Sequence, residues 1–366
     1  QCTLLPYTTL FRSAREPVRL DLARVRALLA ERTILVTGAA GSIGSELCRQ
    51  IATHGPATLV LYDRHENGVY ELEMELRQRH PALRLVPVLG DVLLEDQLRT
   101  VFAAEHPELV FHAAAYKHVP LAERNVLEAV RNNVLGTRNV LRAAVAYGAG
   151  EFVLVSTDKA VHPTSLMGAT KRAAELLVRE LADGACRAVA VRFGNVLDSN
   201  GSVVPLFRRQ IARGGPVTVT HPDITRYFMT IPEASQLILQ AATLGSGGEI
   251  FILDMGQPVR IVDLARQMIR LSGLRPDDDV EIVFTGLRPG EKLHEALMSN
   301  AEEAASTHHD RLSVVRPGGT PTWPDIWVPR LERCVRAGDA EGALRILRTV
   351  VPDYEPSTDV LAEARP

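Results

Sequence analysis

Cysteine is scarce in this 366-residue chain, which holds only Cys2, Cys48, Cys186 and Cys334. They are too scattered for a zinc ligand pattern or a dense disulfide framework, so no metal is expected and a reducing compartment is. An excess of either charge is missing too. Lys and Arg total 41 against 44 Asp and Glu, a formal net charge of -3. That balance offers no basic field for nucleic acid and no block of like charge that would read as a disordered tail. No uncharged apolar run reaches the ~20 residues that cross a bilayer. Nothing at the N-terminus has the charged, apolar and cleavage regions of a signal peptide. Internal repeats and low-complexity tracts are also absent. These absences lead to the expectation of a cytoplasmic globular protein of one or two domains.

What is present is an alternation of short apolar runs and helical periodicities. Residues 1–13 have no periodicity and read as a linker or a foreign extension. Asp21–Arg32 has helical spacing at Leu22, Val25, Leu28 and Leu29. Strands are expected at Thr33–Thr37, Thr58–Tyr62, Leu83–Leu89, Leu109–His112, Glu151–Ser156 and Ala188–Arg192, with helices after Gly41 and around Val69–Arg79. Continuous apolar strands suit a parallel sheet covered on both faces, an α/β arrangement of the doubly wound, Rossmann type. Beyond Asn195 the pattern loosens at Gly214-Gly215-Pro216, Gly247-Gly248 and Arg288-Pro289-Gly290, which suits a smaller C-terminal substrate-binding lobe. The expected division is an N-terminal extension and helix over 1–31 and a nucleotide-binding domain over 32–195. An interleaved substrate lobe follows over 196–300 and a C-terminal segment over 301–366, its last dozen residues without expected order.

Gly38-Ala39-Ala40-Gly41-Ser42-Ile43-Gly44 follows the first strand and opens a helix. Glycines at this spacing let the backbone turn tightly and approach a pyrophosphate, whose charge the helix N-terminus favours. Asp63 ends the second strand roughly 20 residues on, where a carboxylate accepts from ribose hydroxyls and repels a 2′-phosphate. NAD is therefore expected over NADP, although neighbouring Arg64 leaves room for the latter. Asp91, before Val92 at the end of the third strand, stands where adenine would be reached, or serves as a turn or cap residue.

The most informative run is Ser156-Thr157-Asp158-Lys159-Ala160, followed by Met167-Gly168-Ala169-Thr170-Lys171. It begins at the carboxyl end of a strand, where open α/β sheets place their ligands. With VTGAAGSIGSEL, HAAAYKHVPLAE, NNVLGT, RFGNVL, NGSVVP, TRYFMTIPEA and RPGEKLHE, the stretch from Glu16 to Leu297 resembles one group of the extended short-chain dehydrogenase/reductase superfamily. The group is the bacterial UDP-N-acetylglucosamine 4,6-dehydratases of polysaccharide biosynthesis. The superfamily's tyrosine, four residues before its lysine, is here Met167, which has no proton to exchange. A methionine at helical spacing is ordinarily core packing, yet the substitution matches the larger, often membrane-anchored branch of these dehydratases. That branch has N-terminal membrane helices, and none is found in this sequence, which reads as a soluble portion or short form.

The resemblance implies loss of water from a UDP-linked hexosamine to give a 4-keto-6-deoxy sugar, with NAD regenerated. It implies Asp158 as the acid and Lys159 as the base, the lysine neutralised by burial or nearby positive charge. It implies Thr157 as the ligand of the carbon 4 oxygen and Lys171 as the ligand of the nicotinamide ribose. Ser42, Ile43, Val92, Ala113 and Ala114 would complete the cofactor wall, and Asn133 would have a structural role. Lys117, His118 and Asn195 should border the substrate. Arg226, Arg288 and Lys292 should meet the diphosphate or uridine, since arginine offers a planar fork of donors. Glu291 and Glu295 fall on one face of an expected helix and read as a solvated pair. A homo-oligomer is expected. The neighbouring alternatives are a UDP-sugar 4-epimerase and a silent NAD-binding scaffold.

Overall fold

The computed structural model describes residues 21–181, 186–300, 302–315 and 323–364. The expected extension over residues 1–13, with Cys2, lies outside the described residues. All six expected strands form: β1 (Thr33–Thr37), β2 (Thr58–Asp63), β3 (Arg84–Leu89), β4 (Leu109–His112), β5 (Glu151–Val155) and β6 (Arg187–Arg192). β1, β2, β4 and β5 are buried almost throughout, because helices cover both faces of the sheet. β3 alternates between buried and exposed because it is an edge strand. Within β1, Ile34 and Val36 pack on one face with Leu47 and Ile51, while Leu35 packs on the other with Phe102 and Leu141. That is the period of two that a strand imposes.

Beyond residue 195 the strands are shorter: β7 (Asn195–Val196), β8 (Val217–Val219), β9 (Thr225–Arg226), β10 (Phe228–Met229), β11 (Ile250–Leu253), β12 (Val259–Arg260) and β13 (Ile282–Phe284). β14 (Ala304–Ser306) and β15 (Leu312–Val315) close the series. The main sheet runs β14-β15-β11-β6-β5-β4-β1-β2-β3. From β11 to β3 every pairing is parallel, and β15 and β14 add an antiparallel edge. The sheet thus draws β11 from between lobe elements and its far edge from the C-terminal segment. The lobe keeps a core of its own around Val204, Phe207, Val219, Leu264 and Met268.

The C-terminal segment is more ordered than its sequence suggests. Helices Pro324–Ala337 and Ala340–Val350 bury Trp327, Leu331, Leu344 and Leu347 against Val130, Val134, Leu166 and Met167. The expectation of disorder in the last dozen residues is corrected over Thr358–Glu363, which forms a helix with Val360 fully buried. Ser357 explains its start: its hydroxyl accepts from Val360 N at 3.2 Å and donates to Glu123 at 2.6 Å. Among the described residues, no helix is long and apolar enough to cross a membrane.

Strand order reverses between β1 and β4, so their carboxyl ends diverge into a crevice, the usual ligand position of such sheets. Register places Thr37 beside His112 at the floor of that crevice. The His112 ring is buried, with Nδ1 2.7 Å from Thr37 Oγ1 and Nε2 3.0 Å from Thr137 Oγ1. Burial, with a lesser push from Lys171, lowers its pKa to about 3, so it pins the two strand ends as a neutral group.

Candidate active site

The sheet's carboxyl edge and the lobe enclose a cleft of about 940 Å³. Gly38, Gly41, Ser42, Ile43 and Gly44 line it on one side. Gly38 has φ +68°, and a Cβ on it would lie 2.6 Å from Ala114 N; one on Gly44 would lie 2.0 Å from Gly38 O. Only glycine permits this approach of the turn to the β4 loop and of the helix to the turn. Gly41 caps the helix Ser42–Ala52 without a side chain, so its first-turn N–H groups keep their capacity for an anion. The cradle therefore fits a dinucleotide.

Asp63 stands at the end of β2, its carboxylate oriented by Ala40 N at 3.0 Å and His65 N at 2.9 Å. Arg64 turns toward Tyr116, over whose ring it lies at 4.9 Å, and toward Asp91 at 3.5 Å. Asp91 accepts from Leu93 N at 3.0 Å, the turn role, while buried Val92 packs near Gly136. Ala113 lines the cleft; Ala114 abuts Gly38.

Opposite the glycine turn, β5 ends in a single 3-10 turn, Asp158–Ala160, capped by Thr157. Thr157 Oγ1 donates to Asp158 Oδ1 at 3.0 Å. Lys159 Nζ donates to the same oxygen at 3.0 Å and to Asn195 Oδ1 at 3.2 Å. Glu295 Oε1 lies 3.6 Å from that ammonium. Asp158 is fully buried, and its Oδ2 has no hydrogen-bond partner among the described residues. Burial opposes the charge on Lys159, but Asp158 and Glu295 outweigh it and hold its pKa above the ordinary value. The expectation of a neutral Lys159 is therefore corrected: two adjacent carboxylates keep it an ammonium.

Met167 and Lys171 lie one turn apart on the helix Leu166–Leu181, and both line the cleft. Met167 also packs against the C-terminal helices, so it is both core and wall. Lys171 Nζ donates to Val155 O at 2.7 Å, and burial lowers its pKa to about 8 against a smaller opposing pull from Glu175. Asn133, in a π-type turn, accepts from Tyr116 N at 2.8 Å and donates to Thr170 Oγ1 at 3.0 Å. It thereby ties the β4 loop to the lysine helix.

Lys117 and His118 beyond β4, with Arg226 and Arg288 from the lobe, also line the cleft. Lys117 and His118 are exposed, with the His118 ring over Gly201. Arg288 is 56% exposed and pairs with Glu291 at 3.2 Å. Arg226 is buried, and its donors go to Thr225 O at 2.7 Å and Lys292 O at 2.9 Å. Lys292 is turned from the lining, donating to Val161 O at 2.6 Å.

The chain is similar to known proteins along most of its length. The sequence family described as polysaccharide biosynthesis protein matches residues 34–317. The chain belongs to this family. The capsular polysaccharide biosynthesis protein CapD of Staphylococcus aureus is 53% identical over 291 residues, 79% of this chain and 48% of that one. The chain thus spans about half the length of that relative. A UDP-glucose 4-epimerase of Rickettsia rickettsii is 33% identical over 287 residues, 76% of this chain and 80% of its own. Among solved structures, Pen from Bacillus thuringiensis is similar at a TM-score of 0.72 and 34% identity, over 78% of this chain and 88% of that one. Family and neighbours agree on a Rossmann-type short-chain dehydrogenase/reductase fold with a smaller lobe.

Membership does not explain two groups, one that the sequence left unassigned and one that it read as solvated. The first is Glu175, whose carboxylate accepts from Ser156 Oγ at 2.6 Å and from Arg192 twice at 2.7 Å. Arg192 also reaches Glu302 at 2.8 Å. The only sequence signal was an arginine closing an apolar strand. The second is Glu295, expected on a solvated helical face with Glu291. Residues 288–295 form turns instead, because Leu293 O accepts from Thr225 N and Lys292 O from Arg226 rather than from a helical N–H. That path drives the Glu295 side chain inward until it is 3% exposed.

Proposed function

We propose that the chain is a nucleotide-sugar 4,6-dehydratase acting on a UDP-N-acetylhexosamine, with UDP-N-acetylglucosamine as the first substrate to test. The observation that carries this reading is the Asp158–Lys159 pair just beyond β5: a fully buried carboxylate holding an ammonium that lines the same cleft as the glycine turn. Loss of water requires an acid and a base held together, and this pair supplies both.

The turn Gly38–Gly44 with Asp63 would hold NAD, and Lys171 would meet its nicotinamide ribose. When bound, NAD supplies a reversible hydride acceptor. The Asp63 carboxylate favours NAD over NADP. Lys117, His118 and Asn195 border the sugar. Arg288 takes the diphosphate, while Arg226 shapes the loop that presents it.

At rest one proton serves the Asp158–Lys159 pair and sits on the lysine. Its transfer across the 3.0 Å contact yields a neutral amine and a protonated carboxyl without changing the net charge. Lys159 Nζ then accepts the proton from sugar carbon 5, made acidic by a ketone at carbon 4. Asp158 gives its proton to the carbon 6 hydroxyl, which leaves as water. The pair returns to its ionic form. Thr157 orients the carbon 4 oxygen. Because Met167 has no proton to exchange, the proton that leaves this oxygen as the ketone forms passes to water. Water also restores the proton that Lys159 finally gives back to carbon 5.

The 33% identity to a named UDP-glucose 4-epimerase favours a second reading, 4-epimerisation, which needs no acid for water loss. Incubation with NAD and UDP-N-acetylglucosamine, followed by mass, separates the two. A product lighter by one water supports the dehydratase; an isomer of unchanged mass supports the epimerase. Cofactor binding without turnover by folded protein leaves a silent scaffold.

A further inference from the structure

Glu295 is the buried carboxylate that this mechanism leaves without a task. It arrives from the lobe, lines the cleft and reaches Lys159 from a different segment than Asp158 does. Its Oε1 lies 3.6 Å from Lys159 Nζ and 3.9 Å from Arg226 Nε, and its Oε2 lies 3.9 Å from Lys292 Nζ. None of these contacts is a hydrogen bond, and Oε2 has no hydrogen-bond partner among the described residues. A structural carboxylate at this depth is ordinarily saturated with donors, as Glu175 is. Glu295 is instead suspended among three cations, and only Lys159 among them lies in the proposed proton path.

We infer that Glu295 is a positioning residue of the reaction centre: with Asp158 it holds the Lys159 ammonium in the cleft and fixes the charge on that lysine. The inference rests on the reading of Lys159 as the proton acceptor. The charged groups facing Lys159 are Asp158 from its own turn, Glu295 and Lys292 from the 288–295 loop, and Arg226 from β9. Glu291 and Arg288 pair with one another farther out. Two anions thus oppose two cations around the ammonium. Removing Glu295 leaves Asp158 alone against Arg226 and Lys292, so Lys159 releases its proton at a lower pH.

The test follows Lys159 directly. Its acylation by acetic anhydride is measured against pH by peptide mass spectrometry in the intact chain, beside the pH profile of kcat/KM for water loss. In Glu295→Gln both the acylation midpoint and the falling, alkaline limb of kcat/KM, where the pair loses its one proton, should move down by about one pH unit. At a pH below both midpoints, the amine then reacts about tenfold faster, and Glu295→Asp, which keeps the charge, stays close to wild type. Lys292→Gln should move the acylation midpoint upward, which keeps the inference testable should Glu295→Gln fail to fold.

An unchanged acylation midpoint in folded Glu295→Gln, or in Lys292→Gln, overturns the inference. A shifted midpoint without any water loss from the sugar nucleotide instead keeps Glu295 as the residue that sets the charge and removes the dehydratase reading.

Discussion

Two buried charge clusters meet within three residues of this chain, at Ser156 and Asp158, and they are built in opposite ways. Ser156 touches the first, in which Glu175 receives Ser156, Arg172 and two donors of Arg192, all within 2.9 Å. Glu302 adds two further bonds to Arg192. Asp158 belongs to the second, where one oxygen of Asp158 and one of Glu295 lack hydrogen-bond partners among the described residues. Burying charge is tolerable only when every lone pair and proton finds a partner. The saturated cluster therefore reads as a brace and the unsaturated one as a site whose remaining partners come with the substrate. The brace stands immediately behind the site, so the Thr157–Asp158–Lys159 turn is held from below by groups that do no chemistry.

That contrast breaks most sharply at Lys159. Lys159→Ala should reduce water loss by about a thousandfold or more. It should lower the melting temperature less than a break in the saturated cluster does, since Lys159 lines the cleft and water can take its place beside Asp158. Full activity in that variant would remove Lys159 as the base. Glu175→Gln should do the reverse. It leaves Arg192 without its bidentate partner and should lower stability by about 3–5 kcal/mol, or roughly 5 °C in the melting temperature. A melting curve like that of wild type would show the brace to be dispensable.

The same cluster predicts an acid signature. Burial raises the Glu175 pKa, but Arg192 outweighs it and holds it at about 2, against an ordinary value of 4.5. A depressed carboxylate contributes stability that is present above its unfolded pKa and lost as pH falls through the folded one. Wild type should therefore weaken between about pH 4.5 and 2 more steeply than Glu175→Gln, as read by denaturant titration at each pH.

The cofactor side needs no such charge balance, and its effects should be smaller. Asp63→Ala should relax the preference for NAD over NADP by roughly tenfold, measured as a ratio of binding constants. An unchanged ratio would remove Asp63 from that role. His112, held neutral with a pKa near 3, binds a proton below about 6.5 only when unfolded, so it makes folding weaken on acidification. His112→Asn should flatten that slope between pH 6.5 and 3.

The two clusters also mark where sequence reading succeeds and where it stops. The glycine turn and the six parallel strands were legible because each is local: spacing, period and strand-to-helix position lie within a few residues. The Asp158-Lys159 pair, by contrast, was singled out through the resemblance alone. Glu302 was not, since its partner Arg192 is 110 positions away and no local pattern announces the pairing. Glu295 was misread because helical spacing was assumed for a segment whose carbonyls Thr225 and Arg226 capture. The charge of Lys159 was misread for a related reason. Its environment depends on a carboxylate from the lobe, which only the folded chain brings within reach. The C-terminal helix was missed because its order comes from Val360 burial and the Ser357–Glu123 contact, both tertiary.

The central claim is that the unsaturated pair Asp158–Lys159 moves the carbon 5 proton and expels water. Reaction of UDP-N-acetylglucosamine with the chain and NAD in heavy water, followed by return of the product to ordinary water, tests it directly. The account predicts a product lighter by one water that retains one solvent deuterium at carbon 5, because Lys159 exchanges with solvent before returning the proton. An isomer of unchanged mass, or a dehydrated product without deuterium at carbon 5, would contradict it.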